Sequence, residues 1–283
     1  MRRELIIIMF LIISFSVTSE LVYSTPGPCE YNGVETINKV PQGSEYEDEE
    51  FIVIDNEWIV NNLSQISGLT CLQYIDYRET LSGDIAGFSN LTDMKVINLN
   101  ENPDLYGDIC ALNNLTNLID LRMAFDQKIY GDISCLSNLN LRTFAMTDTR
   151  ISGDLSDLSH MTNLEALYLS GTNVKGDISS LAALTNLEEL NIQDSEVTGS
   201  EVYGDLSSLN NLKNLRKVAL YNLQVTGCDE FMTNHPDIEG GCSSTNSVTV
   251  EEQKKDKGTP GFETVFVLLA TSLFLFLRRK NKF

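Results

Sequence analysis

The chain has 283 residues, with 40 acidic against 20 basic side chains and a formal net charge of −20. An excess of this size repels nucleic acid phosphates, so DNA or RNA binding is excluded as a function class. Only two histidines are present, His160 and His235, and neither lies in a catalytic motif. There is no Gly-x-Ser-x-Gly elbow, P-loop or His-Glu-x-x-His run, so the sequence predicts neither an enzyme nor a cofactor.

The first 24 residues place Arg2 and Arg3 before an apolar run from Leu5 to Phe15, followed by small and polar residues. This order predicts a secretory signal peptide, cut after Ser19 or Ser24. Residues 25–71 are expected to form an N-terminal cap on the periodic region downstream. They hold Cys29, an acidic run from Glu45 to Glu50, and Trp58. Asp55 or Asn56 would N-cap a helix whose apolar face is Ile59, Leu63 and Ile66.

From residue 72 to about 229 the chain is periodic. Gly-Asp-Ile or Gly-Asp-Leu begins at Gly83, Gly107, Gly131, Gly153, Gly176 and Gly204, at spacings of 24, 24, 22, 23 and 28. Before each lies an L-x-x-L-x-L phrase, such as Leu118/Leu121/Met123 and Leu164/Leu167/Leu169, and seven such units are present. Alternation puts the second and third apolar positions of each phrase on one face of a strand. Units that cannot bury an apolar face alone do so by stacking. The glycine is read as permitting the turn after the strand. The return stretch, such as Ser179 to Leu187, has the spacing of a short helical or 3₁₀ turn.

These phrases resemble the leucine-rich-repeat family, in the class with a second Gly-x-Ile phrase after the strand. The resemblance implies an α/β solenoid: a parallel sheet lines the concave face, and short helical, 3₁₀ or loop segments line the convex side. It directs attention to residues between the apolar positions, expected to face outward as a binding surface: Tyr74, Asp76, Asn98, Asp120, Arg122, Tyr168, Glu189, Asn191 and Lys217, with Tyr221 just past the last strand.

An aspartate column, Asp84, Asp108, Asp132, Asp154, Asp177 and Asp205, recurs in successive coils. Helix-start capping is the favoured role; a calcium site built of carboxylate oxygens is the alternative. In the sixth unit an insertion of five residues around Val197–Gly204 is expected to bulge at a rim and present Tyr203. Asn62, Asn90 and Asn114 open N-x-Ser/Thr sequons and are glycosylation candidates. An even cysteine count in an exported chain suggests disulfides. Position along the chain suggests Cys29–Cys71 at the N-terminal cap, Cys110–Cys135 between neighbouring coils and Cys228–Cys242 at a C-terminal cap over 230–242. Six cysteines allow fifteen pairings.

Residues 243–259 are polar and aperiodic and are read as a flexible stalk. Residues 260–283 run from Pro260-Gly261-Phe262 through an apolar stretch, Thr264 to Leu277, to Arg278, Arg279, Lys280 and Lys282. Basic residues after an apolar run act as a stop-transfer signal and leave the body outside. The run falls short of the ~20 residues of a spanning helix. The segment resembles the archaeal PGF-type C-terminal sorting signal, which implies cleavage by an archaeosortase-like enzyme and lipid attachment. Loss of both terminal segments removes three acids and six bases and takes the net charge from −20 to −23. The expected function is binding of an extracellular protein or glycan at a cell surface. A structural, self-associating component of the surface layer is the alternative.

Overall fold

The computed structural model describes residues 61–78, 80–194 and 201–244, with short strands at Glu30–Tyr31, Val34–Glu35 and Val53–Ile54. Outside the described residues lie the signal segment, Cys29, residues 45–50, Asp55, Asn56, Trp58, residues 195–200 of the insertion, the stalk beyond 244, and the tail with Pro260, Gly261 and Phe262.

Each L-x-x-L-x-L phrase forms a three-residue strand: Tyr74–Asp76, Val96–Asn98, Asp120–Arg122, Thr143–Ala145, Ala166–Tyr168 and Glu189–Asn191, ending on the longer Lys217–Thr226. All pair in parallel. Their registers align Ile75, Ile97, Leu121, Phe144, Leu167, Leu190 and Val218 in one column, each at most 1% exposed. The ladder gains one strand at each end: Val53–Ile54 pairs with Tyr74–Ile75, and Glu239–Ser244 pairs with the last long strand.

The Gly-Asp phrase is more than the turn expected of it. It forms a second parallel ladder: Ser82–Asp84, Asp104–Asp108, Ile129–Asp132, Arg150–Asp154, Asn173–Asp177 and Val202–Asp205. This ladder joins the first through Lys217–Thr226, which gives a sheet of 15 strands among the described residues. The glycines hold φ between +113° and +135° within these strands. Close approach adds a second reason for glycine. A Cβ on Gly153 would lie 2.5 Å from Ile133 Cγ1 and 2.9 Å from Asp132 Oδ1 of the coil before. Glycine therefore lets each coil seat on the capping side chain of its predecessor and, at Gly107, Gly131, Gly153 and Gly204, on the isoleucine after it.

After each aspartate comes a 3₁₀ helix, at Ile85–Phe88, Ile109–Leu112, Ile133–Leu136, Leu155–Leu158, Ile178–Ala183 and Leu206–Leu209. Each helix buries two apolar residues, such as Ile85 with Phe88 and Leu155 with Leu158. Outside them, asparagine side chains tie coil to coil. Asn117 Nδ2 donates to Thr92 O at 3.0 Å, Asn186 Nδ2 to Thr162 O at 2.9 Å and Asn214 Nδ2 to Thr185 O at 3.0 Å. One apolar core runs the length of the stack, from Leu63 to Phe231. An α-helix, Cys228–Asn234, closes its C-terminal end with Phe231 fully buried. No helix among the described residues is long and apolar enough to cross a membrane.

Two disulfides are described. Cys110–Cys135 links equivalent places in neighbouring coils, with Cα atoms 5.4 Å apart. Cys228–Cys242 ties the closing helix to the last strand, with Cα atoms 5.9 Å apart. Cys71 is also disulfide-bonded; Cys29, its expected partner, lies outside the described residues.

Candidate functional site

The middle of the concave ladder carries a depression of about 380 Å³. Its lining includes Arg122, Arg142, Tyr168, Glu165, Glu189 and Arg216. The apolar alternates of these strands point into the core, which turns the intervening positions toward this face. Three arginines, three glutamates (with Glu188) and a tyrosine thus meet on an otherwise acidic molecule.

The charges are already interlaced. Arg216 reaches Glu188 at 2.8 Å and Glu189 at 2.9 Å. Lys217 Nζ lies 3.4 Å from Glu189, and Arg142 Nε lies 3.9 Å from Glu165. The Tyr168 hydroxyl donates to Glu189 Oε2 at 2.5 Å. Burial raises the Tyr168 pKa above its ordinary value, and the carboxylate beside it raises it further. Burial works against the Glu189 anion, but the Tyr168 hydroxyl and the cations Lys217 and Arg216 outweigh it and hold its pKa below the usual range. Glu189 is therefore an anion and Tyr168 a neutral donor at physiological pH.

Three of the expected surface residues are not on the surface. Tyr74 is 2% exposed, Asn98 8% and Asp120 1%. Parallel strands lie ~4.8 Å apart, so long neighbours close over short ones. Arg122 covers Asp120 with a two-point bond, Nε to Oδ1 at 2.8 Å and Nη2 to Oδ2 at 2.7 Å. The Tyr74 hydroxyl contacts Asp76 Oδ2 at 3.4 Å. Asp120 thus orients Arg122 rather than meeting a partner. Asp76, Arg122, Tyr168, Glu189 and Asn191 are partly exposed, and Lys217 and Tyr221 are exposed. Arg142 and Arg216 complete the depression. Each directly precedes its strand, outside the alternating positions used to find the face, and so escaped the pattern.

The aspartate column serves the 3₁₀ helices. Oδ1 of Asp84, Asp108, Asp132, Asp154, Asp177 and Asp205 accepts from the backbone N–H two residues on, at 2.8–2.9 Å. Capping accounts for the column's regularity. Asp108 also lies near Cys110 and Cys135, but sulfurs joined in a disulfide offer no thiolate to a metal. Tyr203, with Tyr106 and Tyr130, stands about half-exposed on the second ladder. Among the sequons, Asn62 is committed: its Oδ1 accepts from Ser64 N at 2.9 Å and its Nδ2 donates to Ser82 Oγ at 3.3 Å. A glycan on Nδ2 would replace one of its two hydrogens and crowd the Ser82 contact. Asn90 and Asn114 are exposed.

No family model matches the chain. No curated protein matches it in sequence. Solved structures do. The plant peptide hormone receptor RGFR1 in complex with RGF2 is 21% identical, with a TM-score of 0.50, over 64% of this chain and 33% of that one. The PEPR1–AtPEP1 complex is 22% identical, with a TM-score of 0.53, over 62% of this chain and 25% of that one. An internalin, InlF of Listeria monocytogenes, is 28% identical with a TM-score of 0.46, over 62% of this chain and 55% of that one. The fold is a leucine-rich-repeat solenoid. The chain spans a quarter to about half of the length of these neighbours, so the likeness describes the repeats and their packing.

Proposed function

We propose that this solenoid is a cell-surface recognition protein that binds a protein or peptide partner across the concave depression. One observation carries the reading: Tyr168, Arg122, Arg142 and Arg216 converge with three glutamates on an open sheet face, while the rest of the body is acidic. Tyrosine and arginine anchor interfaces, because each covers large area with directed polar contacts. Alternating charge suits a polypeptide bearing both signs better than a uniformly charged polymer. Two structural neighbours were solved with partners, the plant peptide hormone receptor RGFR1 with RGF2 and PEPR1 with AtPEP1, which accords with such use of the fold. Binding rather than catalysis fits a site whose ionisable groups are neutralised in pairs.

Export belongs to the same proposal. The two described disulfides suit an oxidising compartment, in accord with the N-terminal signal pattern. Anchoring through the C-terminal segment, with sorting at Pro260-Gly261-Phe262, rests on the sequence resemblance. Intact mass of the protein from its native membrane tests it: loss of residues after about 260 with added lipid mass is expected, and a chain still ending at Phe283 contradicts sorting.

The test of recognition is affinity against a panel of displayed peptides and surface proteins. Arg216→Ala and Tyr168→Ala should each weaken binding at least tenfold with unchanged circular dichroism. Unchanged affinity in both variants moves the site elsewhere. Self-association of the unliganded body that survives both variants favours the structural, layer-forming role.

A further inference from the structure

In four successive coils the eighth residue after the opening apolar position forms a polar column: Asn102, Asp126 and Thr149, all buried, and Thr172, half-buried. Three of the four donate to the carbonyl three residues earlier. Asn102 Nδ2 donates to Leu99 O at 2.9 Å, Thr149 Oγ1 to Met146 O at 2.7 Å and Thr172 Oγ1 to Leu169 O at 2.7 Å. Asn102 also donates to Tyr77 O at 2.7 Å and accepts from Leu81 N at 2.8 Å. Each bond pins the turn between the two ladders.

Asp126 fills this position with a carboxyl. It is fully buried, and neither oxygen makes a hydrogen bond of normal geometry. An ionised carboxylate accepts only, so it cannot supply the donor that this column provides elsewhere. The donor that Asn102 receives is missing too: Leu105, which like Leu81 stands two residues before the glycine, gives its N–H to Asn102 O at 2.9 Å. The backbone N–H of Asn102 favours the anion, but burial acts more strongly and the Glu101 carboxylate of the preceding coil adds repulsion. From the following coil the equivalent residues are Asp148 and Thr149, an acid and a hydroxyl. In its own turn the cation is Lys128, which is exposed and paired with Asp104 at 3.1 Å. Directly before it stands Phe125, half-exposed and held at φ +71°, a conformation that costs a bulky residue. Its N–H donates to Thr147 O at 2.7 Å, while Asp126 O accepts from Ile129 N at 2.9 Å.

We propose that Asp126 is held as the neutral acid inside the folded solenoid, standing in for the column's asparagine or threonine as a donor, and that its ionisation loosens the 123–128 turn that displays Phe125. The turn is then a pH-sensitive element of the surface. The reading does not depend on where the partner binds. Burial sets the folded pKa at about 8, against ~3.9 for an ordinary aspartate. A raised folded pKa gives stability fully present below about pH 4 and lost as pH rises toward about 8.

The experiment compares wild type with Asp126→Asn by urea unfolding from pH 4 to 9. The comparison cancels the carboxylates that both proteins share. The folding constant of the variant relative to wild type should grow by up to about tenfold per pH unit across that window and then level off. A ratio independent of pH overturns the proposal. Hydrogen exchange of 123–128 at pH 8.5 should be faster in wild type than in the variant; equal rates overturn the loosening of the turn. Should Asp126→Asn fail to fold, Asp126→Thr takes its place. The carboxyl ¹³C titration of wild type decides independently, with a midpoint above 6 expected and one below 5 fatal to the proposal.

Discussion

Gly153→Ala is the most informative single substitution in the stack. Gly153 sits at φ +129°, where a side chain is strained whatever the space; that strain costs about 1–3 kcal/mol. The new methyl would lie 2.5 Å from Ile133 Cγ1 and 2.9 Å from Asp132 Oδ1. Ile133 is fully buried, so making room overpacks the core at about 1–3 kcal/mol. Asp132 caps the helix at Ile133–Leu136, and losing that bond costs about 1 kcal/mol. Shared relaxation makes these less than additive, so the expected loss is about 3–5 kcal/mol. Gly68→Ala is the control, because nothing lies within 4 Å of its added Cβ. Urea unfolding followed by circular dichroism measures both. If Gly153→Ala stays within about 1 kcal/mol of wild type, or matches Gly68→Ala, the interlock between neighbouring coils is wrong.

Three further outcomes are expected. Replacing Cys110 and Cys135 together by serine should cost about 3 kcal/mol, as a 25-residue separation implies; no loss by thermal unfolding would mean the neighbouring coils already hold each other. Asp154 has its pKa lowered, chiefly by the Ser156 backbone N–H, so its contribution is present above the ordinary aspartate range and lost as pH falls through its folded value. Asp154→Asn, which keeps a capping oxygen, should therefore match wild type near pH 7 and lose less stability as pH falls from about 4 to about 2; parallel acid curves would refute the assignment. Asp120→Asn should free Arg122 from its two-point bond and weaken partner binding several-fold, although Asp120 itself is buried; unchanged affinity would make the pair purely structural.

Much of the architecture is written in the spacing of leucines. Ile97, Leu121 and Phe144 can only stack if their strands run parallel and in register, so an L-x-x-L-x-L period near 23 residues specifies the first ladder. Asp132 and Asp154 likewise announce caps, since each precedes an apolar pair at 3₁₀ spacing. The second ladder was harder to see. Gly-Asp-Ile reads locally as a turn, and only the stack shows that Gly153 must be bare because Asp132 and Ile133 lie against it. The burial of Tyr74, Asn98 and Asp120 was hidden for a related reason: alternation gives the face of a residue but not how far its neighbours on adjacent strands overhang it. Arg142 and Arg216 reach the depression from positions flanking the strands, where length and flexibility decide more than periodicity. Asp126 breaks a column that is visible only once Asn102 and Thr149 are seen making the same bond.

The proposed docking of a partner on the concave depression admits a direct test. A photo-crosslinking residue placed at Tyr168, and for comparison at the exposed convex Asn138, tests it on the native cell surface. A discrete partner adduct is expected from position 168, abolished by Arg216→Ala, with none from 138. An adduct from 138 alone, or one from 168 indifferent to Arg216, would contradict the claim.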